Sequence, residues 1–271
     1  MRVERQAWIA ALIILVAAKG LARQTEKASL SGPYLGQKPP GLTPEVFAPG
    51  IVSKEGDQAR LFIGPDGSEI IYWERDPVGG KMRILSILRK GGLWSAPKAL
   101  PFSEEYANNE PCLSPDGKKL FFVSNRPRSG QGEAEKLPDI WVVEKTHGTW
   151  GEPRNIGDPV NRLDIAVQPF LAVDGKLYFG GQVSGPCVSP DNQVLIVHAR
   201  KDGGYGEWDL YASFKDADGA WGPLVNLGNA VNTKAAEAGG SFSPDGKYLF
   251  FSRAGDIYWV SAKVLEGLKP Q

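Results

Sequence analysis

The chain has 271 residues, of which 42% are hydrophobic, with 31 Lys and Arg against 31 Asp and Glu. That length suits one large domain with a continuous core, and the balanced charge lacks the basic excess of a nucleic-acid binder, so nucleic acid is excluded as a partner class. The 33 glycines and 21 prolines are what an all-β chain with frequent tight turns requires.

Residues 1–22 read as a signal peptide. Arg2 and Arg5 precede an apolar run from Ala7 to Ala18, and Gly20-Leu21-Ala22 offers small residues at the positions a signal peptidase reads. The run is shorter than the roughly 20 apolar residues of a membrane-spanning helix, so no stable membrane span is expected after cleavage. The expected location is exported, periplasmic or extracellular; an uncleaved N-terminal anchor is the alternative. Residues 23–32 read as a polar tether, and 33–271 as a single domain.

Within that domain a phrase repeats. IGPDGSEIIYW at 63–73, LSPDGKKLFFV at 113–123, LAVDGKLYFGG at 171–181, VSPDNQVLIVH at 188–198 and FSPDGKYLFFS at 242–252 are each a turn followed by a short strand. Proline presets φ in the turn, the aspartate side chain bonds the local backbone, and glycine accepts the left-handed region. The strands that follow are apolar at successive positions, as in Leu120-Phe121-Phe122-Val123. Such strands are packed on both faces. Third strands open at Asp139, Asp209 and Asp256, and Trp94, Trp150 and Trp221, followed by Pro97, Pro153 and Pro223, mark fourth, outermost strands, because proline cannot donate to a ladder. Repetition makes these tryptophans packing residues rather than carbohydrate platforms.

A unit of roughly 50 residues with four strand signals indicates a β-propeller of four-stranded antiparallel blades. About five blades are expected, six being the alternative if residues 33–56 build more than an edge. Asp174 and Asp191 stand far closer together than the other turn aspartates, so the third blade is expected to be incomplete. The last copy lacks an outer strand and the N-terminal segment has no blade of its own, so the N-terminal segment should close the ring. A short helix is expected over 264–268.

These hairpins, with the DIW, DLY and DIY strand starts and the WGEPRNIG and WGPLVNLG edges, make the chain resemble the TolB-type WD40-like propeller repeat family over roughly residues 33–268. The resemblance implies a β-propeller acting in the cell envelope as an interaction module; related propellers accompany peptidase domains.

Candidate chemistry is sparse. Cys112 and Cys187 share a register in different repeats, where a disulfide's Cα separation of about 4.4–6.8 Å is not expected, and read as buried strand residues. His147 and His198 make no zinc site, and no metal, cofactor or catalytic residue is indicated. An arginine follows the second strand in four copies, Arg75, Arg126, Arg200 and Arg253. They read either as an anion-binding rim or as intra-blade partners of the third-strand aspartates, pairing Arg126 with Asp139, Arg200 with Asp209 and Arg253 with Asp256. Arg75 and Arg83 lack such an aspartate. The insert between Arg126 and Asp139, which carries Arg128, and the 201–208 connection with Tyr205 and Trp208 place aromatic and basic residues near the same rim, the composition either of a protein-binding surface or of a packed loop base. The candidate rim is therefore Arg75, Arg83, Arg126, Arg128, Arg200, Tyr205, Trp208 and Arg253. Loop carboxylates Glu104, Glu105, Glu133, Glu135, Asp164, Glu207 and Glu237, outside the repeat hairpins, are candidates for a glycosidase pair. The expected function is an exported, non-catalytic propeller binding a protein or envelope component. A propeller glycoside hydrolase or glycan-binding protein is the alternative.

Overall fold

The computed structural model of the protein describes residues 31–162, 167–180 and 184–269. The expected signal peptide, most of the expected tether and Asp164 lie outside the described residues. Strands come in the order the repeats dictate. After β1 (Glu45–Val46), the first blade holds β2 (Asp57–Ile63), β3 (Glu69–Arg75), β4 (Met82–Lys90), β5 (Leu93–Trp94) and β6 (Lys98–Ala99). The second holds β7 (Asn108–Leu113), β8 (Lys119–Ser124), β9 (Asp139–Thr146), β10 (Thr149–Trp150) and β11 (Arg154–Asn155). In third position stands a two-stranded hairpin, β12 (Phe170–Leu171) and β13 (Leu177–Tyr178). A further blade holds β14 (Ser184–Val188), β15 (Val194–Ala199), β16 (Asp209–Phe214) and β17 (Val225–Asn226). The last holds β18 (Glu237–Phe242), β19 (Tyr248–Arg253) and β20 (Asp256–Ser261).

The sheets form a β-propeller of four full blades with the hairpin as a thin third wedge. The innermost strands touch in a closed cycle, β2 to β7, β7 to β12, β12 to β14, β14 to β18 and β18 back to β2. β1 supplies the missing outer strand of the last blade, with Glu45 opposite Trp259 and Val46 opposite Tyr258, so the N-terminal segment closes the ring and builds no blade of its own. Phe47 packs edge-on against Phe250 and Trp259, with centroids 5.2 Å away in both cases, and seals this seam. The fold starts slightly before position 33, because Ser31 bridges Leu93 and Trp94 Nε1 donates to Gly32 O at 2.7 Å. At the other end, 262–268 forms a 3-10 helix whose Leu265 is buried.

The outer strands break where the sequence puts proline. Pro97 and Pro153 separate β5 from β6 and β10 from β11, and Pro223 separates the Lys215–Trp221 bridge from β17. A cation from the third strand lies over each edge tryptophan: Arg89 over Trp94 at 5.9 Å, Lys145 over Trp150 at 4.3 Å and Lys215 over Trp221 at 4.8 Å. These tryptophans are therefore blade structure. Both cysteines are free and buried, and burial pushes their thiols up to about 11 for Cys112 and about 12 for Cys187, which leaves them protonated.

Candidate functional site

Each innermost strand starts on the face that carries the long connections and ends on the face that carries the aspartate turns. On the connection face, each candidate arginine is engaged by a partner within the chain, some buried and some exposed. Arg126 is buried, stacks 5.0 Å from Tyr106 and 5.3 Å from Trp141, and donates to Phe102 O at 2.8 Å. Asp139 is taken by Arg128 at 2.8 Å. Arg253 stands opposite both Glu237 and Asp256 in the ladder and pairs with Glu237 at 2.7 Å. Arg200 reaches Glu207 at 3.4 Å and lies over Trp208, while Asp209 accepts from Tyr205 N, Gly206 N and Asn226 Nδ2. The expected arginine–aspartate pairs thus do not form. Each arginine has another structural partner, because Asp209 is occupied by its own connection and Asp139 lies within reach of the insert. Arg75 meets Asp57 at 3.3 Å, and Arg83 meets Glu74 at 2.9 Å and Asp76 at 3.3 Å, so these two are also paired. Among the rim residues, Tyr205 is half exposed at 47%.

The channel waist went unrecognised in the sequence. Arg60, Glu110, Gln168, Gly185 and Gly239 each lie six residues before a turn aspartate, and all five have left-handed φ, between 49° and 64°. In the four full blades they sit within β-bulges of β2, β7, β14 and β18. Glycine is the natural residue at such a φ, so the three polar side chains are held there at a conformational cost of roughly 1–2 kcal/mol each. Arg60 is fully buried. Its guanidinium crosses the channel to Pro169 O at 2.9 Å and Pro186 O at 3.5 Å, and its Nε lies 3.2 Å from Glu110 Oε2. That last contact is close but misaligned for a hydrogen bond. Gln168 Oε1 accepts from Gly185 N at 2.7 Å. The two glycines make room: a Cβ on Gly239 would press on Arg60 Cδ at 3.1 Å, and one on Gly185 would strike the His198 ring at 2.4 Å. Burial raises the Glu110 carboxyl, opposed by Arg60, and lowers His198 to about 4, with Arg60 adding to the effect. Arg60 staples the thin third wedge to the first and fourth positions through the Pro169 and Pro186 carbonyls.

On the turn face the same register builds an open cup. Ile63, Leu113, Leu171, Val188 and Phe242, each three residues before a turn aspartate, line an axial cavity of ≈ 210 Å³ above Phe62, Phe170 and Cys187. Its lip is Pro65, Pro115, Val173, Pro190 and Pro244, one per repeat. The prolines brace neighbouring turns, since a Cβ on Gly117 would meet Pro65 Cδ at 2.9 Å. Outside the lip stand the turn aspartates, which are structural. Asp116 Oδ1 accepts from Ser114 Oγ at 2.6 Å and Lys118 N at 3.0 Å, and the Ser114 hydroxyl, followed by the Lys118 amide, holds its carboxyl below the usual range. The hairpin in third position has no proline, and its Val173 is 51% exposed at the lip.

No family model matches the sequence, and no curated protein does. Among solved structures the chain is similar to TolB from Acinetobacter baumannii, at 15% identity over 77% of this chain and 55% of that one, with a TM-score of 0.47. It is also similar to a gluconolactonase from Xanthomonas campestris, at 15% identity over 73% and 55% with a TM-score of 0.31. For an oligogalacturonate lyase from Vibrio parahaemolyticus the figures are 10% identity over 76% and 78%, with a TM-score of 0.38. The chain spans about half the length of the TolB structure. These proteins differ among themselves in what they do.

Proposed function

We propose that this is an exported, non-catalytic β-propeller that docks a protein or envelope component on its turn face, with one bulky apolar side chain of the partner seated in the axial cup. The cup carries the reading. An apolar pocket of ≈ 210 Å³ at the centre of a face, ringed by polar turns, has the anatomy of an interaction hot spot in which a rim keeps water from a buried anchor. Buried Arg60, reaching across the channel beneath it, supports binding rather than passage. Export rests on Arg2, Arg5 and the apolar run that follows them.

The rival docking site, on the connection face, has in its favour half-exposed Tyr205 beside Arg200 and Trp208. A glycan-binding reading has one observation in its favour, a ≈ 470 Å³ pocket on that face with Glu110 and Gln168 among its lining residues. Photocrosslinkers placed at Val173 and at Tyr205, in cells, separate the faces. One reproducible partner from position 173 and none from 205 is the expected result. Crosslinks from 205 alone would move the docking site to the arginine rim, and none from either position would transfer the question to glycan binding.

A further inference from the structure

The cup is not isolated. It shares Pro190, Phe242 and Pro244 with a larger groove of ≈ 800 Å³ that runs outward between the last two blades to the C-terminal 3-10 segment. Phe214 and Leu265, both buried, and half-buried Phe242 give the groove an apolar floor. Its charges are unevenly placed. Near the axis Asp245 is neutralised by Lys247 at 2.9 Å, and Asp191 is held in its turn by Ser189 and Gln193. Further out, Lys215 just past β16 and exposed Lys263 and Lys269 at the C-terminal segment face Glu266 as the one carboxylate. No ion pair engages any of these three lysines among the described residues; Lys215 lies over Trp221.

Resting on the docking reading above, we infer that the groove receives an extended peptide segment of the partner, with its apolar anchor in the cup and acidic residues beyond it against Lys215, Lys263 and Lys269. Continuity with the cup fixes the path, and the outer excess of lysine fixes the chemistry. A groove of this size accommodates a short stretch of chain rather than a single side chain. The opposite charges should speed, orient and tighten docking at low salt, and should be screened as salt rises.

The test uses the full mature chain and two synthetic hexapeptides, each with one Phe anchor followed by either three Glu or three Gln, measured by fluorescence anisotropy at low and physiological salt. At low salt the Glu peptide is expected to bind at least ten-fold tighter than the Gln peptide. The double substitution Lys263→Glu with Lys269→Glu should abolish that preference while leaving the Gln peptide unchanged, and Val173→Asp should weaken both. Both lysines are exposed, so the fold is retained, and Lys263→Gln with Lys269→Gln gives a milder version of the same loss. Equal binding of the two peptides, or a preference that survives the double substitution, overturns the groove assignment and leaves the cup intact. Failure of both peptides to bind the unsubstituted protein overturns the cup and the groove together.

Discussion

The two faces of this propeller use their residues in opposite ways. The connection face carries the arginines, aromatics and carboxylates that look like chemistry, yet there Arg75, Arg83, Arg128, Arg200 and Arg253 are ion-paired and Arg126 is buried against aromatic rings. The turn face is built from the most monotonous part of the repeat, and it is there that apolar surface converges on the axis and stays open. Repetition at one register is usually structure when each copy satisfies itself. It becomes a site when the copies point at a common axis and none fills it.

The strongest way to break this contrast is at the waist that separates the faces. Arg60→Ala removes a buried cation that spans three positions of the ring and leaves Glu110 beside an empty channel, and should destabilise the protein by about 3–5 kcal/mol in urea unfolding. A change under 1 kcal/mol would show that the ring does not depend on the staple. His198 gives a second reading of the same region. Its folded value of about 4 lies below its ordinary 6.5, so the unfolded chain binds the proton first. Stability should be full above about pH 6.5 and fall by roughly 3 kcal/mol as pH drops toward 4, and His198→Phe should flatten that slope. An unchanged slope in the variant would assign the acid sensitivity elsewhere.

On the connection face, Arg253→Ala leaves fully buried Glu237 without its cation and should cost about 3 kcal/mol. The exposed pair of Arg200 and Glu207 should cost less than about 0.5 kcal/mol when Arg200→Ala breaks it. The ordering, read from melting curves, distinguishes arginines that build the fold from one that decorates it. If Arg253→Ala proves neutral, the rim regains its claim to be free for a ligand.

Much of the fold was legible because its signals are local. The SPDG hairpins, the tryptophan–proline edges, the truncated third copy and the spare N-terminal segment each announced a strand or its absence, and the ladders follow them. The arginine partners were less accessible, since Arg253 stands opposite two carboxylates in the ladder and takes Glu237, Arg200 takes Glu207 from its own connection, and the insert brings Arg128 onto Asp139. The waist was hidden for a different reason. Arg60, Glu110, Gln168, Gly185 and Gly239 share no chemistry, only a distance of six residues from a turn aspartate and a left-handed backbone. Aligning the copies on their turns exposes both the waist and the cup lining three residues later. Comparing copies by residue type conceals both.

We propose docking of the partner on the turn face through the cup. Its most direct test is the affinity of the partner captured from position 173 for Val173→Asp and, in parallel, for Arg128→Ala with Arg200→Ala, all three substitutions being at exposed side chains. Docking through the cup gives at least a ten-fold loss for the cup variant and no change for the rim variant. A loss confined to the rim variant would contradict it.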